Sequence, residues 1–209
     1  GGKKYRAMFL DENSDFLSFA LLSRKSEQPS KLEMYRRWVL LQLGKTIKCE
    51  KADRGGEYVS TKHMQECQEQ GIDQQFSAPG ASQQNGKAER KNRYIDEATS
   101  AVMYASGAPS SFWGECTDWV VWTHNKLPWK RVDGVWWSRE DELHEKKIPF
   151  DFETLRPFGC RMWRYLPKQH RDGPKSHIRM KCRKVIFLGY DARDGSIYRV
   201  WDPVRQSVQ

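Results

Sequence analysis

Apolar residues fall first in two short bursts, Lys4–Leu10 and Phe16–Leu22, split by the turn formers Asp11-Glu12-Asn13-Ser14. That pattern predicts two strands joined by a tight connection, with Asp11 in a turn role. Pro29 opens a stretch in which Leu32, Tyr35, Val39 and Leu43 recur at three- and four-residue spacing before Gly44, which predicts a helix. Thr46–Lys51 and Ile72–Ser77 read as further strands. Between them lies a short helix, Thr61–Gln70, capped by Ser60 and ended by Gly71. Ala78–Asn85 contains Pro79 and Gly80 and reads as a loop. A long helix then runs from Gly86 to Ser106, with Ala88, Ile95, Ala98 and Val102 on one face and Gly107 as terminator. Another runs from Ser110 or Ser111 to Lys126 and buries Phe112, Cys116, Trp119, Val120 and Thr123. Strands alternating with helices in this order are an α/β plan around a mixed sheet.

The pattern then changes. Leu127–Leu155 is irregular and punctuated by Trp and Pro, so it reads as a linker packed along the surface. Beyond Arg156 come short bursts at Met162–Leu166, Val185–Tyr190 and Ile197–Trp201, separated by Gly, Pro and Asp, the signature of a small all-β module. The organisation expected is therefore an α/β core over 1–126, a linker over 127–155 and a β-module over 156–209. There is no internal repeat and no low-complexity tract.

Composition sharpens this picture. Nine Trp, nine Phe and eight Tyr supply enough large side chains for a core, which argues against wholesale disorder. No apolar run approaches the ~20 residues of a membrane helix. Five cysteines (49, 67, 116, 160 and 182) form no CxxC pair, which points to reduced thiols and a cytosolic or nuclear setting. The net charge of +9 is unevenly placed: residues 156–209 hold 13 Lys/Arg against 4 Asp/Glu, and the rest of the chain is balanced. Between Arg161 and Lys184 nine residues are basic and only Asp172 is acidic. A neutral body with a basic end suits a polyanionic partner, nucleic acid above all.

Two carboxylates stand where α/β proteins place their chemistry. Asp53 follows a strand and precedes Gly55-Gly56, at the carboxyl edge of the predicted sheet. Glu89 opens the long helix, 36 positions later. Taken alone, an Asp before Gly-Gly is a turn former and a first-turn Glu a helix-dipole partner. On that helix Glu89, Asn92, Arg93 and Asp96 share one face, flanked by Arg90 and Lys91. The row reads either as a nucleic-acid surface or as a solvated charged face, and Asp96 fits the former poorly. His63 with Cys67, or Cys160 with His170, His177 and Cys182, match no closed zinc spacing. Trp113, Trp119, Trp122, Trp129, Trp136 and Trp137 are explained by packing.

These residues sit inside a set of motifs: GGKKY (Gly1–Tyr5), DRGGEY (Asp53–Tyr58), QQNGKAERKNR (Gln83–Arg93), SFWGE (Ser111–Glu115), RPFGC (Arg156–Cys160), VIFLGY (Val185–Tyr190) and YRVWDP (Tyr198–Pro203). In identity and order the set resembles the integrases of copia-type retrotransposons, within the DDE transposase and retroviral integrase superfamily. The resemblance implies an RNase H-like core followed by a basic, SH3-like β-module. It implies that Asp53 and Glu89 are the second and third members of a metal-binding acid triad holding two Mg²⁺ (or Mn²⁺) ions, and that DNA integration is the activity. Element ends and target DNA would be the partners, a homo-oligomer the working form, and the nucleus, after a cytoplasmic particle stage, the location.

DNA contacts are expected from Arg90, Lys91, Asn92 and Arg93 on the helix. In the basic module they are expected from Arg161, Arg164, Lys168, Lys175, Arg179, Lys181, Arg183 and Lys184. The chain also departs from the family. The first triad Asp and its strand lie upstream of the GGKKY-like segment, Arg54 stands where Asn is usual, and Gly80-Ala81-Ser82 replaces a Tyr-Thr-Pro-like approach. The final strand of the β-module is expected beyond the last residue. These departures suggest a fragment, or a decayed copy, of an element-encoded polyprotein, one that binds DNA without joining it. A different class of protein, a non-catalytic nucleic-acid-binding remnant or host-adopted derivative, is the alternative.

Overall fold

In the computed structural model, which describes residues 3–52, 61–76, 86–167, 181–191 and 195–209, the first two apolar bursts form an antiparallel pair, β1 (Tyr5–Leu10) and β2 (Leu17–Leu22). Asp11 closes the connection: the Ser14 backbone N–H and hydroxyl both donate to its Oδ2, at 2.8 and 2.6 Å. Its role is the turn role that the sequence predicts. Helix α1 (Gln28–Leu43) carries Pro29 in its first turn and ends on Gly44, whose φ of +65° suits a residue without a side chain. Strand β3 (Cys49–Ala52), helix α2 (Thr61–Glu69) and strand β4 (Asp73–Phe76) make a parallel crossover unit.

Both kinds of pairing are thus present, but among the described residues they do not join into one mixed sheet. β1–β2 and β3–β4 are separate two-stranded ladders. Helix α1 links them through side chains instead. Tyr35 stacks on Phe9 with ring centroids 5.6 Å apart, and Trp38 stacks on Phe16 at 6.1 Å. Next to Tyr35 in sequence, the buried Arg36 donates through Nε to Glu50 Oε1 on β3, at 2.6 Å.

Helices α3 (Gly86–Ser106) and α4 (Trp113–Lys126) follow the predicted boundaries closely. The linker expected over 127–155 is instead largely structured. Strands β5 (Pro128–Val132) and β6 (Val135–Ser138) form a hairpin, and α5 (Arg139–His144) follows directly. Asp133 and Gly134 both take positive φ, 47° and 82°, as a two-residue turn with the twist of its strands requires. Ser138 and Asp141 cap α5 reciprocally: Asp141 N–H donates to Ser138 Oγ, and Ser138 N–H donates to Asp141 Oδ2.

The described chain divides into two units, Gly1–Glu97 with Val121–Ile148 and Ala98–Val120 with Pro149–Gln209, so α3 and α4 each contribute to both and neither boundary falls at 126 or 155. The core of the first unit is built from Ala7, Leu17, Leu22, Leu32, Val39, Ile72 and Ile95. The second unit carries a four-stranded antiparallel sheet in the order β10-β9-β8-β7. Its strands are β7 (Arg161–Tyr165), β8 (Cys182–Tyr190), β9 (Tyr198–Asp202) and the brief β10 (Ser207–Val208). Phe187 and Leu188 are fully buried within it, and Trp119 Nε1 donates to the Arg156 carbonyl at 3.2 Å.

Strand β2 is tied to α4 by a single side chain. Leu17 N–H donates to Asn125 Oδ1 at 3.0 Å, and Asn125 Nδ2 donates back to the Leu17 carbonyl at 2.8 Å, both buried. Substituting Asn125→Leu keeps the volume but leaves a buried donor and a buried acceptor unmatched. The unfolding free energy should fall by about 2–4 kcal/mol, measured by denaturant titration. An unchanged midpoint would contradict this role for the Asn125 clamp.

Candidate functional site

Glu89 lies in the first turn of α3, where the unpaired N–H groups of a helix start favour a carboxylate, and its side chain is exposed. Asn92, Arg93 and Asp96 follow on the same face. All three of these side chains are exposed. Asp96 forms an ion pair with Arg6 on β1 at 2.6 Å, which compensates the negative charge that fits a nucleic-acid surface poorly. Arg90 is exposed; a Cβ on Gly86 would meet its Nη1 at 3.3 Å, so its guanidinium folds back over the helix start. Asp53, which follows β3 directly, lies outside the described residues, as do Lys168, Lys175 and Arg179.

Two residues expected to contact DNA are engaged elsewhere. Lys91 Nζ donates to Asp15 Oδ2 at 2.6 Å and is only 17% exposed, so its charge serves the interior of the first unit. Arg183 Nη1 donates to Asp202 Oδ2 at 3.0 Å, and that carboxylate is fully buried. Both ion pairs have one cause: a buried carboxylate is stabilised by a neighbouring cation.

Asp15 organises a cluster that spacing does not reveal. Besides Lys91 it accepts from Arg139 Nε at 2.8 Å, and His124 Nε2 lies 3.6 Å from its Oδ2. Burial alone would raise the Asp15 pKa, but the hydrogen bonds from Arg139 and Lys91 outweigh it and hold the carboxyl below its ordinary value. Burial, with Arg139 and Lys91 adding to it, pushes His124 down to about 4, so the ring is neutral near pH 7. Asp15 itself sits at φ +60°, a conformation that the turn imposes and the cluster holds.

In the second unit Arg161, Lys181 and Lys184 are exposed and Arg164 is half-buried. Alternation along β7 puts Arg161, Trp163 and Tyr165 on one face, and Trp163 (68% exposed) pairs across the ladder with Lys184. Trp163 and Tyr165 are not among the residues expected from the sequence. The period-two rhythm Arg-Met-Trp-Arg-Tyr, with a buried Leu166 after it, is the signal that identifies them.

No protein-family model matches the chain. A cryoEM structure of the simian T-cell lymphotropic virus intasome in complex with PP2A regulatory subunit B56 gamma does match in fold. Its TM-score is 0.53 at 18% identity, over 87% of this chain and 65% of the viral one. The fold is thus of the retroviral integrase type, with an RNase H-like arrangement of strands and helices. In sequence, the retrovirus-related Pol polyprotein from transposon TNT 1-94 of Nicotiana tabacum is 30% identical over 213 residues, covering 100% of this chain and 15% of that polyprotein. Along its whole length the chain is thus related to a segment of a retrovirus-related Pol polyprotein from a transposon. It spans about one seventh of the polyprotein it matches and under two thirds of the viral chain.

Proposed function

We propose that this chain is the catalytic-core and β-module portion of a copia-type retrotransposon integrase, acting on element ends and target DNA in the nucleus as part of a homo-oligomer. One observation carries the proposal. Across a sequence related end to end to a transposon polyprotein, the exposed face of α3 presents Glu89 beside Asn92 and Arg93, while Lys91 and Asp96 are neutralised by their own partners. A carboxylate and a guanidinium one turn apart, on a rigid helix, can serve a metal and a phosphate respectively.

Asp53 and Glu89 are the residues that would hold Mg²⁺ or Mn²⁺. Their all-oxygen donors suit a hard cation, and Glu89 is exposed and open to one. Bound divalent ions would supply Lewis-acid neutralisation of charge at the reacting phosphate. Arg93 and Asn92 orient the phosphodiester, and Arg90 adds positive charge at the helix start. In strand transfer the 3′-hydroxyl oxygen of the element end bonds to a target phosphorus and gives up its proton to solvent, while the target's P–O3′ bond breaks and the departing O3′ takes up a proton to become the new 3′-hydroxyl. The outer face of β7–β8 holds duplex DNA without sequence preference through Arg161, Lys181 and Lys184, and we assign the module the SH3-like class.

Two acids provide few fixed ligands for two ions, and Arg54 adds a positive charge beside one of them. The 209-residue chain by itself should therefore bind DNA without joining it. Joining of a labelled donor end to plasmid DNA in Mg²⁺ or Mn²⁺, with Glu89→Gln as control, checks this. Product at the level of the control agrees with it, and product well above the control would show that the two acids suffice.

Binding itself has a sharper readout. Each phosphate that a cation neutralises on duplex DNA adds ~0.9 to the steepness of log K against log salt. Substituting Arg161→Ala and Lys184→Ala together should therefore make that slope shallower by ~1.8. Lys91→Ala should leave the slope unchanged and lower thermal stability instead. A slope insensitive to the β7–β8 pair would remove the DNA role of that face.

A further inference from the structure

Where α2 packs on β3, the first unit holds a cluster that the integrase chemistry does not use. Helix α2 places His63 and Cys67 four residues apart on one face, both almost fully buried. Strand β3 brings Glu50 against them, with its side chain 11% exposed. His63 Nε2 lies 3.4 Å from Glu50 Oε2 and 3.7 Å from Cys67 Sγ, and Cys67 Sγ lies 3.8 Å from the same Glu50 oxygen. Nitrogen, sulfur and oxygen thus form a closed triangle.

The edge lengths of that triangle decide what it suits. Zinc bonds of about 2.0 Å to nitrogen and oxygen and about 2.3 Å to sulfur, at tetrahedral angles, separate the ligand atoms by roughly 3.3–3.5 Å. The three observed edges match those values or exceed them by only a few tenths of an ångström, so small side-chain adjustments close them on an ion. We propose that Glu50, His63 and Cys67 form a binding site for a single zinc ion, distinct from the acid pair Asp53 and Glu89. The donor set of thiolate, imidazole and carboxylate is borderline-soft, which suits zinc and not magnesium.

Arg36 completes the design. The two oxygens of Glu50 are divided: Oε1 accepts from Arg36 Nε at 2.6 Å, while Oε2 faces His63 and Cys67. A cation on the outer oxygen fixes the ligating carboxylate in place, as the outer shell of metal sites commonly does. Arg36 Nη2 also donates to Cys67 Sγ at 3.0 Å, so one guanidinium holds two of the three ligands in place. Three protein ligands leave one coordination position to water. The ion would staple helix α2 to β3, the strand that leads into Asp53. The i, i+4 spacing of His63 and Cys67 is legible in the sequence, but the third ligand arrives through strand β3, 13 residues before His63.

Cobalt(II) is the probe. The reduced, chelator-treated 209-residue protein should take up one equivalent, developing a thiolate-to-cobalt charge-transfer band and tetrahedral ligand-field absorption, both bleached by added zinc. Cys67→Ser should abolish the charge-transfer band, and Glu50→Gln should weaken binding at least about tenfold, the low end of what removing one part of a metal site costs. The exposed thiols serve as controls: Cys49→Ser with Cys182→Ser should leave the spectrum unchanged. Circular dichroism of each variant separates loss of the site from loss of the fold, and wild-type protein should melt at a higher temperature with zinc than with chelator. Wild type that binds no cobalt and shows no zinc-dependent melting, or a band lost only with Cys49 and Cys182, overturns the proposal and leaves a hydrogen-bonded cluster closed by Arg36.

Discussion

The first unit depends on one buried carboxylate. Asp15, 6% exposed, draws Lys91 from α3 and Arg139 from α5 onto a single side chain, with His124 of α4 beside it. An isolated carboxylate in such a place would cost several kcal/mol in lost solvation, so it persists only because two cations and the turn of its own hairpin converge on it. Further contacts follow from this convergence. Arg139 Nη1 donates to the His124 carbonyl at 3.0 Å, its guanidinium lies over Trp129 at 5.2 Å, and the Tyr94 ring tilts against His124 at 5.6 Å. Asn125, next along α4, clamps β2. Three helices are thereby indexed to one hairpin.

That indexing has a consequence for chemistry. Turning Lys91 inward fixes the rotation of α3, and at 3.6 residues per turn the outward face must then carry Glu89, Asn92, Arg93 and Asp96. The Arg6–Asp96 pair reinforces the same rotation from β1. The face we propose as functional is therefore positioned by residues that take no part in its proposed chemistry. In the second unit Asp202 acts similarly, capturing Arg183 and the backbone N–H groups of Val204 and Arg205, which leaves Arg161 and Lys184 on the outer face of the sheet.

How much of this can be read from residue order varies with the range of the interaction. Helices α1, α3 and α4 and strands β1 to β4 follow from local periodicity and from Pro29, Gly44 and Gly107, because those signals act within a turn or two of the chain. The hairpin at 128–138 is equally legible in principle. Asp133-Gly134 between Trp- and Val-rich runs is a strong short-range turn signal, masked when the surrounding Trp and Pro are taken for irregularity. Ser138 with Asp141 likewise announces α5. What residue order does not show is the engagement of Lys91, whose partner lies 76 positions away, or the meeting of Glu50 with His63 and Cys67 across a parallel crossover. The motifs carry the family resemblance and include Glu89, but they carry no information on which neighbouring cations are already committed to buried acids.

Whether the Asp15–Lys91 contact fixes α3 is tested most directly by a double-mutant cycle. Unfolding free energies of the wild type, Asp15→Asn, Lys91→Met and the double variant, measured in denaturant at neutral pH, give the coupling between the two side chains. A coupling of about 1–3 kcal/mol, with the double variant less destabilised than the sum of the singles, is the predicted result. Additive effects within about 0.5 kcal/mol would mean that Lys91 is not committed to Asp15, and that the α3 face is set by something else.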